Sequence, residues 1–477
     1  HHAAVTRGIP HEDGGSVFIQ IPVTPPESVH GVPTERFIKP VRHWFDGLIQ
    51  ADGPAGKQYP VSRQTFNKSE SRMRDQPDYD VIVAGGGPAG STAAFLLAKA
   101  GHRVGLFERV VYPREKVCGG CLTQKSVRFL DRVFSLPLDA LRREGLLDFT
   151  GKGYALYIGN RRVLDEGLAE PFYFTRRDRY DACLALMARE AGAEVREGTE
   201  VTAVDHVQRT VTTADGERCS ARVIVGADGI HSSVRRSLPE GVVDRQRWRR
   251  NLGLALEIKI NRGEVEMHQN REAAIPLDAD IGIPHVFLGA CPMGYGWVFP
   301  NTDAVIVGIG GLFEANRRGL PDRFREFLGG IGFAAFADRK PAGCLLPFGN
   351  YIPSPVHEAT VLVGDAGGFT SPILGEGIFY AHRTAELAAH AIDRHLTSGA
   401  PLAATYTSLL NRRLIPELEA EMRIRDFLYS HLDGRTPVIL LHLLIRSTRR
   451  RVIDAVQGHR SFQGLFRRDE DLHTAVW

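Results

Sequence analysis

The stretch VIVAGGGPAG, residues 81–90, runs four apolar residues into glycines spaced Gly85-x-Gly87-x-x-Gly90. A strand that ends in such a turn and restarts as a helix brings bare backbone close to a phosphate. Gly85 permits the tight turn, Gly87 admits a pyrophosphate, and Gly90 lets helix and strand pack closely. Pro88 and Ala89 open the helix, whose unpaired N–H groups and partial positive charge attract the phosphates. The glycine spacing alone is weak evidence, but its surroundings strengthen it. YDVIVAG reads as a buried strand, AGSTAAFLLAKAG as a helix ending at Gly101, and HRVGLFE as a second strand. That is a βαβ unit of about 30 residues. Glu108 closes the second strand 21 residues after Gly87, where a carboxylate accepts both ribose hydroxyls and disfavours a 2′-phosphate. The adjoining Arg109 joins the same set. An ADP-ribose-type site follows.

Two later segments point to FAD rather than NAD. VIVGADGIHSSVRR (223–236) sets Asp228 just beyond a strand, and VLVGDAGGFTSPILGEGI (361–378) sets Asp365 just beyond another. The second segment continues to a glycine-bracketed helix start at Gly375-Glu376-Gly377-Ile378. A flavin is long and must be held at both ends. An aspartate after a strand suits the ribityl hydroxyls, and a second helix N-terminus suits the flavin pyrimidine edge, where reduction leaves negative charge.

Outward from these segments the chain is 477 residues long, with a net charge of +3 and 24% charged residues. That balance makes no case for nucleic acid. Six cysteines, at 118, 121, 183, 219, 291 and 344, are too sparse for a disulfide framework. One Cys-x-x-Cys without a second pair or nearby histidines is poor for zinc, so no metal site is expected. No apolar run approaches the roughly 18 residues of a spanning helix, and no signal peptide is visible. The expectation is a cytoplasmic protein. PVILLHLLIRSTRRRVIDAV (437–456) sets a short apolar run before Arg446, Arg449, Arg450 and Arg451. It reads either as a core helix with a charged end or as a basic amphipathic helix on a membrane surface.

Residues 1–76 are broken by prolines and lack a sustained period. They are expected to lie outside the core fold as an extension or leader, with SVFIQIPV one short strand and Met73 the functional start; a docked N-terminal arm is the other reading. The remaining boundaries are expected at 77–240 (FAD-binding, with an inserted substrate-domain segment), 241–345 (substrate-binding sheet), 346–400 (final FAD-binding segment) and 401–477 (helical). Residues 238–345 read as strand-rich, with turns at NRGE and PLDAD.

At this point the chain resembles the flavoproteins of the p-hydroxybenzoate hydroxylase fold, and among them the geranylgeranyl reductases. The resemblance spans about residues 77–400. Besides the glycine fingerprint it rests on PREKVCGGCL (113–122), similar to P-x-x-K-x-C-G-G-G-L; PMGYGWVFP (292–300), similar to Y-x-W-x-F-P; GDAGGFTSPILGEGIFYAHRTAELAA; and RRDRYDACL (176–184), similar to R-x-x-F/Y-D-x-x-L. It implies an α/β fold with a Rossmann-type FAD-binding domain, an antiparallel-sheet substrate domain and a helical C-terminal part. It implies flavin-dependent saturation of carbon–carbon double bonds in isoprenoid chains. It places Cys118 near the flavin, brings Arg177 to the flavin or its pyrophosphate, and lets Arg114 or Lys116 reach back to that pyrophosphate. Cys121 stands where the branch usually has a third glycine, which leaves open a redox pair with Cys118 or two unlinked small residues.

Tyr295, Trp297 and Phe299 fall on one face of a strand. They are the expected walls of an apolar cavity for a prenyl-lipid substrate; a core stripe between sheets is the other reading. No second dinucleotide fingerprint appears, so electrons are expected from transient NADPH or from ferredoxin or another electron-donor protein. Hydroxylases of this fold usually read GDAAH where this chain has Gly364-Asp365-Ala366-Gly367-Gly368, and halogenases read W-x-W-x-I-P, of which only Trp297 and Pro300 match. A biosynthetic monooxygenase is the leading alternative, ahead of a halogenase and of a flavin-binding protein without turnover.

Overall fold

A computed structural model describes residues 76–268, 270–277, 281–432 and 438–465, with the backbone of two short strands nearer the N-terminus. Residues 1–78 form one unit and 79–477 another. In the first, strands β1 (Val5–Pro10) and β2 (Ser16–Ile21) pair antiparallel. The expected strand in SVFIQIPV is thus present, with a partner that the sequence reading lacked. Met73 lies outside the described residues.

The second unit begins with the βαβ motif: β3 (Tyr79–Ala84), helix α1 (Pro88–Lys99) and β4 (Val104–Phe107). The chain then crosses to a different sheet through β5 (Cys121–Leu122), helix α2 (Gln124–Phe134), β6 (Phe149–Ile158) and β7 (Arg161–Phe174). It returns through helix α3 (Arg177–Glu190) to β8 (Glu194–Arg196), β9 (Val201–Asp205), β10 (Thr210–Thr213) and β11 (Arg218–Gly226). β12 (Leu252–Asn261), β13 (His285–Leu288), β14 (Gly294–Pro300), β15 (Ala304–Leu312) and β16 (Ala342–Pro347) complete the second sheet. β17 (Val356–His357) and β18 (Thr360–Leu362) rejoin the first. Four helices close the chain: α4 (Ile378–Ser398), α5 (Leu402–Arg413), α6 (Ile415–Ser430) and α7 (Val438–Gln457). The segment NRGE, read as a turn, instead starts a short helix, Arg262–His268.

The first sheet runs β17-β18-β11-β3-β4-β8, with β9 and β10 attached through β11. β18, β11, β3, β4 and β8 are mutually parallel. Their near-continuous apolar runs fit strands covered on both faces; Val81, Ile82 and Val83 are fully buried. Packing of α1, α3 and α4 is pinned by a buried histidine. His382 Nδ1 lies 2.7 Å from Thr92 Oγ1 and its Nε2 lies 2.7 Å from Tyr180 Oη. Burial pushes its pKa down to about 3, so it joins the three helices as a neutral ring.

The second sheet runs β16-β12-β15-β14-β13-β6-β7-β5 and is antiparallel except where β13 meets β6. Side chains alternate between its faces. Val298, Val307 and Ile258 point to a core closed by the helix Leu320–Gly330. Tyr295 and Phe299 point the other way, toward Phe174, Ile373 and residues of α6 and α7. This second face is where the two sheets' segments meet.

Candidate functional site

Three loops come together at the carboxyl ends of parallel strands β3, β11 and β18, the usual place for ligands in parallel sheets. Gly85 has φ +98°, and a Cβ there would lie 2.5 Å from the Ala227 carbonyl oxygen. Gly90 is tighter still: its Cβ would sit 1.8 Å from the Gly85 carbonyl oxygen. Gly87 differs, since a Cβ there would meet only Arg114 Nη2, at 3.7 Å. It caps α1 without a side-chain hydrogen bond, with Pro88 at the first helical position and no acidic residue in the first turn. The helix N-terminus therefore opens onto free space with its N–H groups available.

Glu108 is buried at the end of β4, and Oε2 accepts the Gly86 N–H at 2.7 Å. Tyr112 Oη donates to the Gly86 carbonyl and closes the same turn. Arg109 is exposed on the following loop. Arg114 Nη2 pairs with Asp181 Oδ2 at 2.9 Å, and its buried Nε faces Glu108 Oε1 at 3.7 Å without a hydrogen bond. Arg177 holds the other side of Asp181 with two bonds of 2.8 Å. Burial alone would raise the Asp181 pKa, but Arg177 and Arg114 hold it below the ordinary carboxylate range. Arg177 also faces Cys118, so Asp181 and Cys118 both lie against its guanidinium. Asp181 was not among the expected site residues, although RRDRYDACL contains it; its role shows only once two cations converge on it.

Asp228 Oδ2 accepts the Ser233 and Val234 N–H groups at 2.6 and 3.2 Å, capping a one-turn helix. Its buried Oδ1 has no partner, and burial pushes its carboxyl above the usual range. Arg235 stacks over Trp248 and donates to the Ile230 and Ala366 carbonyls at 2.6 and 3.1 Å, tying the Asp228 loop to the Asp365 loop. Asp365 Oδ1 accepts from Thr370 Oγ1 at 3.1 Å and faces Gly377. Gly377 caps α4 without a side-chain bond, and Ile378, buried, is the first helical residue. Gly375 has φ +65° and approaches Tyr295 Oη and Leu346. Two uncapped helix N-termini, an unpartnered carboxylate oxygen and a guanidinium nitrogen without a hydrogen bond are a donor and acceptor set that suits FAD at its two ends. The residues fit the cofactor.

The aromatic strand lies over this second end. The Tyr295 and Trp297 ring centroids are 5.7 Å apart and those of Trp297 and Phe299 6.3 Å. Tyr295 Oη donates to the Leu374 carbonyl, two residues before Glu376, and burial raises its pKa. Trp297 is 7% exposed, yet its Nε1 has no partner. The Cys118–Cys121 loop rests on the stripe: a Cβ at Gly119 would lie 2.6 Å from Phe299 Cδ2 and 3.8 Å from Trp297 Nε1. Cys118 Sγ accepts the Gly120 N–H at 3.4 Å. Cys121 sits in β5 opposite Phe174, and burial raises its thiol pKa. Both cysteines are free thiols, the arrangement of two unlinked small residues rather than a disulfide. Phe299 contacts Phe174 and shares its apolar cluster, so the stripe is partly core and partly the wall facing the flavin segments. Among the described residues no group of His, Cys, Asp and Glu could hold a metal.

The sequence comparisons agree with this geometry. Residues 78–268 match the FAD binding domain family model. A menaquinone reductase from Mycobacterium tuberculosis is 30% identical over 353 residues, covering 70% of this chain and 80% of its own. A geranylgeranyl diphosphate reductase from Rhodobacter capsulatus is 30% identical over 331 residues, covering 68% and 77%. The crystal structure of a geranylgeranyl bacteriochlorophyll reductase-like protein from Thermoplasma acidophilum has the same fold, with a TM-score of 0.61, 22% identity, and coverage of 83% of this chain and 94% of its own. With two relatives at that identity over most of their length, and with a site shaped for FAD, the chain belongs to the FAD-dependent geranylgeranyl reductase family and is a flavoprotein oxidoreductase of the p-hydroxybenzoate hydroxylase fold.

Proposed function

We propose that the protein saturates carbon–carbon double bonds of an isoprenoid chain, on a geranylgeranyl lipid or a prenylated quinone. The observation that carries this reading is the sheet face bearing Tyr295, Trp297 and Phe299. On that face the neighbouring strand β15 presents Gly308 and Gly310, paired with Trp297 and Tyr295. The Trp297 indole lies over Gly308, where a Cβ would come within 2.3 Å of it, so the glycines let the aromatic rings lie on the sheet as an apolar surface, which suits an apolar, elongated ligand. The relatives named for menaquinone and geranylgeranyl diphosphate reduction add to it.

Each part of the chain then has a task. The α1 N-terminus and Gly87 bind the pyrophosphate, Glu108 the adenosine ribose, Asp228 or Asp365 the ribityl hydroxyls, and Gly375–Ile378 the pyrimidine edge. Arg114 and Arg177, fixed by Asp181, balance the phosphate charge. Reduced FAD, when bound there, supplies a hydride to the alkene. Trp297 and Phe299 hold the chain and exclude water, and the Cys118–Gly119 loop closes the cavity from above. NADPH or a ferredoxin is the proposed electron source.

The test is anaerobic. Enzyme reduced under nitrogen is mixed with geranylgeranyl lipids, menaquinones and small aromatic compounds, and flavin reoxidation and product mass are followed. A prenyl substrate that reoxidises the flavin and gains two hydrogens supports the proposal. Turnover that requires oxygen and adds an oxygen atom overturns it in favour of a monooxygenase.

Peripheral membrane contact through α7 belongs to the same proposal. No helix among the described residues is long and apolar enough to cross a membrane. Ile445, Val452 and Ile453 pack inward, and Arg449 pairs with Glu166. Leu443, Arg446 and Arg450 face outward. Replacing Arg446 and Arg450 by glutamine is expected to reduce co-sedimentation with anionic vesicles; equal pelleting counts against the contact.

A further inference from the structure

Saturating an alkene needs a proton as well as a hydride, and the tasks assigned above leave the proton without a source. Residues paired directly across neighbouring strands point to the same face of a sheet. Trp297 on β14 pairs with Gly308 on β15, Gly308 pairs with Glu257 on β12, and Glu257 pairs with Ala342 on β16. One row across four strands therefore reads Trp297, Gly308, Glu257, Ala342. The adjoining row reads Tyr295, Gly310, Ala255, Cys344. Glu257 is the acidic member of these two rows.

Its position is specific. A Cβ at Gly308 would lie 2.3 Å from Trp297 Cζ2, so the indole lies across the glycine toward the strand that carries Glu257. The cross-strand neighbours of Glu257 are Gly308 and Ala342, and the Trp297 indole lies over the first of them. Above it is the Cys118 loop, whose Cys118 N–H faces the carboxylate and favours its charged form. Lys116 from that loop, Cys118 and Cys344 are the titratable groups around it. The residue is half-buried, with its acid group turned into the protein. Trp297 Nε1, buried and without a hydrogen bond, lies 3.8 Å from where a Cβ at Gly119 of the same loop would be.

We propose that Glu257 is the proton donor of the reaction, delivering its carboxylic hydrogen to an alkene carbon held against the Trp297 indole. The inference rests on the reductase reading above. In the balanced step, one alkene carbon gains a hydride from bound reduced FAD and the other gains the Glu257 proton. The π bond gives way to two C–H bonds, and the carboxylate left behind is reprotonated from solvent. A two-electron donor of the nicotinamide class, or two reduced ferredoxins, restores the cofactor.

A carboxyl at its ordinary pKa is ionised at neutral pH and holds no proton to give. Burial pushes that of Glu257 up to about 7, against the opposing effect of Lys116 and the Cys118 N–H. Such matching to the working pH is what general acid catalysis needs. Because the acid form is active, turnover falls as pH rises through that value.

The test compares wild type with Glu257→Gln and Glu257→Asp. Glu257→Gln is expected to lower anaerobic prenyl reduction by about 100-fold or more, and to abolish the fall in turnover above neutral pH. Glu257→Asp is expected to restore part of the rate. FAD affinity and thermal stability are expected to stay near wild type, which separates lost proton transfer from lost folding. Independently of turnover, infrared difference spectra of the wild-type holoenzyme are expected to show a protonated-carboxyl band that titrates away near neutrality and is missing in Glu257→Gln. If wild type reduces the prenyl substrate and Glu257→Gln keeps its rate and pH profile, the proposal falls while the reductase function stands. If the band is missing from wild type at pH 6, the proposal falls whatever the rates. If wild type reduces no alkene, both readings fall together.

Discussion

Gly90→Ala is expected to strip the protein of FAD. The added methyl would lie 1.8 Å from the Gly85 carbonyl oxygen and 3.2 Å from Ala227 Cβ. Gly85 cannot retreat, because it sits at φ +98° against the Ala227–Asp228 backbone. Helix α1 must therefore move off β3, carrying the phosphate-facing N–H groups with it. Overpacking of this kind costs about 1–3 kcal/mol of stability, and misplaced phosphate donors lower FAD affinity by about 10- to 100-fold. Gly87→Ala supplies the control. Its methyl finds only Arg114 at 3.7 Å, so stability is expected to hold while FAD affinity falls, because the methyl occupies the space assigned to the pyrophosphate. Thermal melts of the apoprotein and FAD titration by fluorescence quenching read the two effects separately. Equal FAD affinity in wild type and both variants contradicts the assignment of this turn.

Asp181→Ala is expected to be the most destabilising single change in the site. Asp181 is 0% exposed and holds Arg177 with two bonds and Arg114 with a third. Removing it leaves the enclosed Arg177 without its counter-charge and Arg114 with only Glu108, 3.7 Å away, and breaking a buried pair typically costs about 3–5 kcal/mol. The sign with pH follows from the lowered Asp181 pKa. The carboxylate's stabilisation is fully present above the unfolded-state value of about 3.9 and is lost as pH falls through the lower folded value. Wild type is thus expected to lose this contribution only in acid, while Asp181→Ala lacks it at every pH. Urea melts at pH 7 and pH 3 check this. A variant as stable as wild type at pH 7 contradicts the shared-carboxylate account.

The difference between these residues and Glu257 shows what the sequence could reveal. The glycine turn was legible because spacing dictates its geometry locally: strand, turn and helix are contiguous, and each glycine has its own steric reason. The aromatic strand was legible for the same reason, since period two alone puts Tyr295, Trp297 and Phe299 on one face. Asp181 was half-legible, present in a quoted motif but without its role, because Arg114 approaches from 67 residues away. Glu257 was hidden. In LGLALEIKI (252–260) it alternates with apolar residues and reads as solvent-facing. That face is instead covered by the Cys118 loop and the flavin segments, which reach it only through tertiary packing. The partner strand β1 and the helix at NRGE were missed for a simpler reason, since short elements carry too few residues to show a period.

The most direct test of the central claim is the crystal structure of the protein with FAD and a bound geranylgeranyl lipid. The account predicts the pyrophosphate at Gly87 and the α1 N-terminus, the pyrimidine edge at Gly375–Ile378, and the alkene between the flavin ring and the Trp297–Gly308–Glu257 row. A flavin ring seated away from that row, or a Trp297 side chain directed away from the ring, contradicts it.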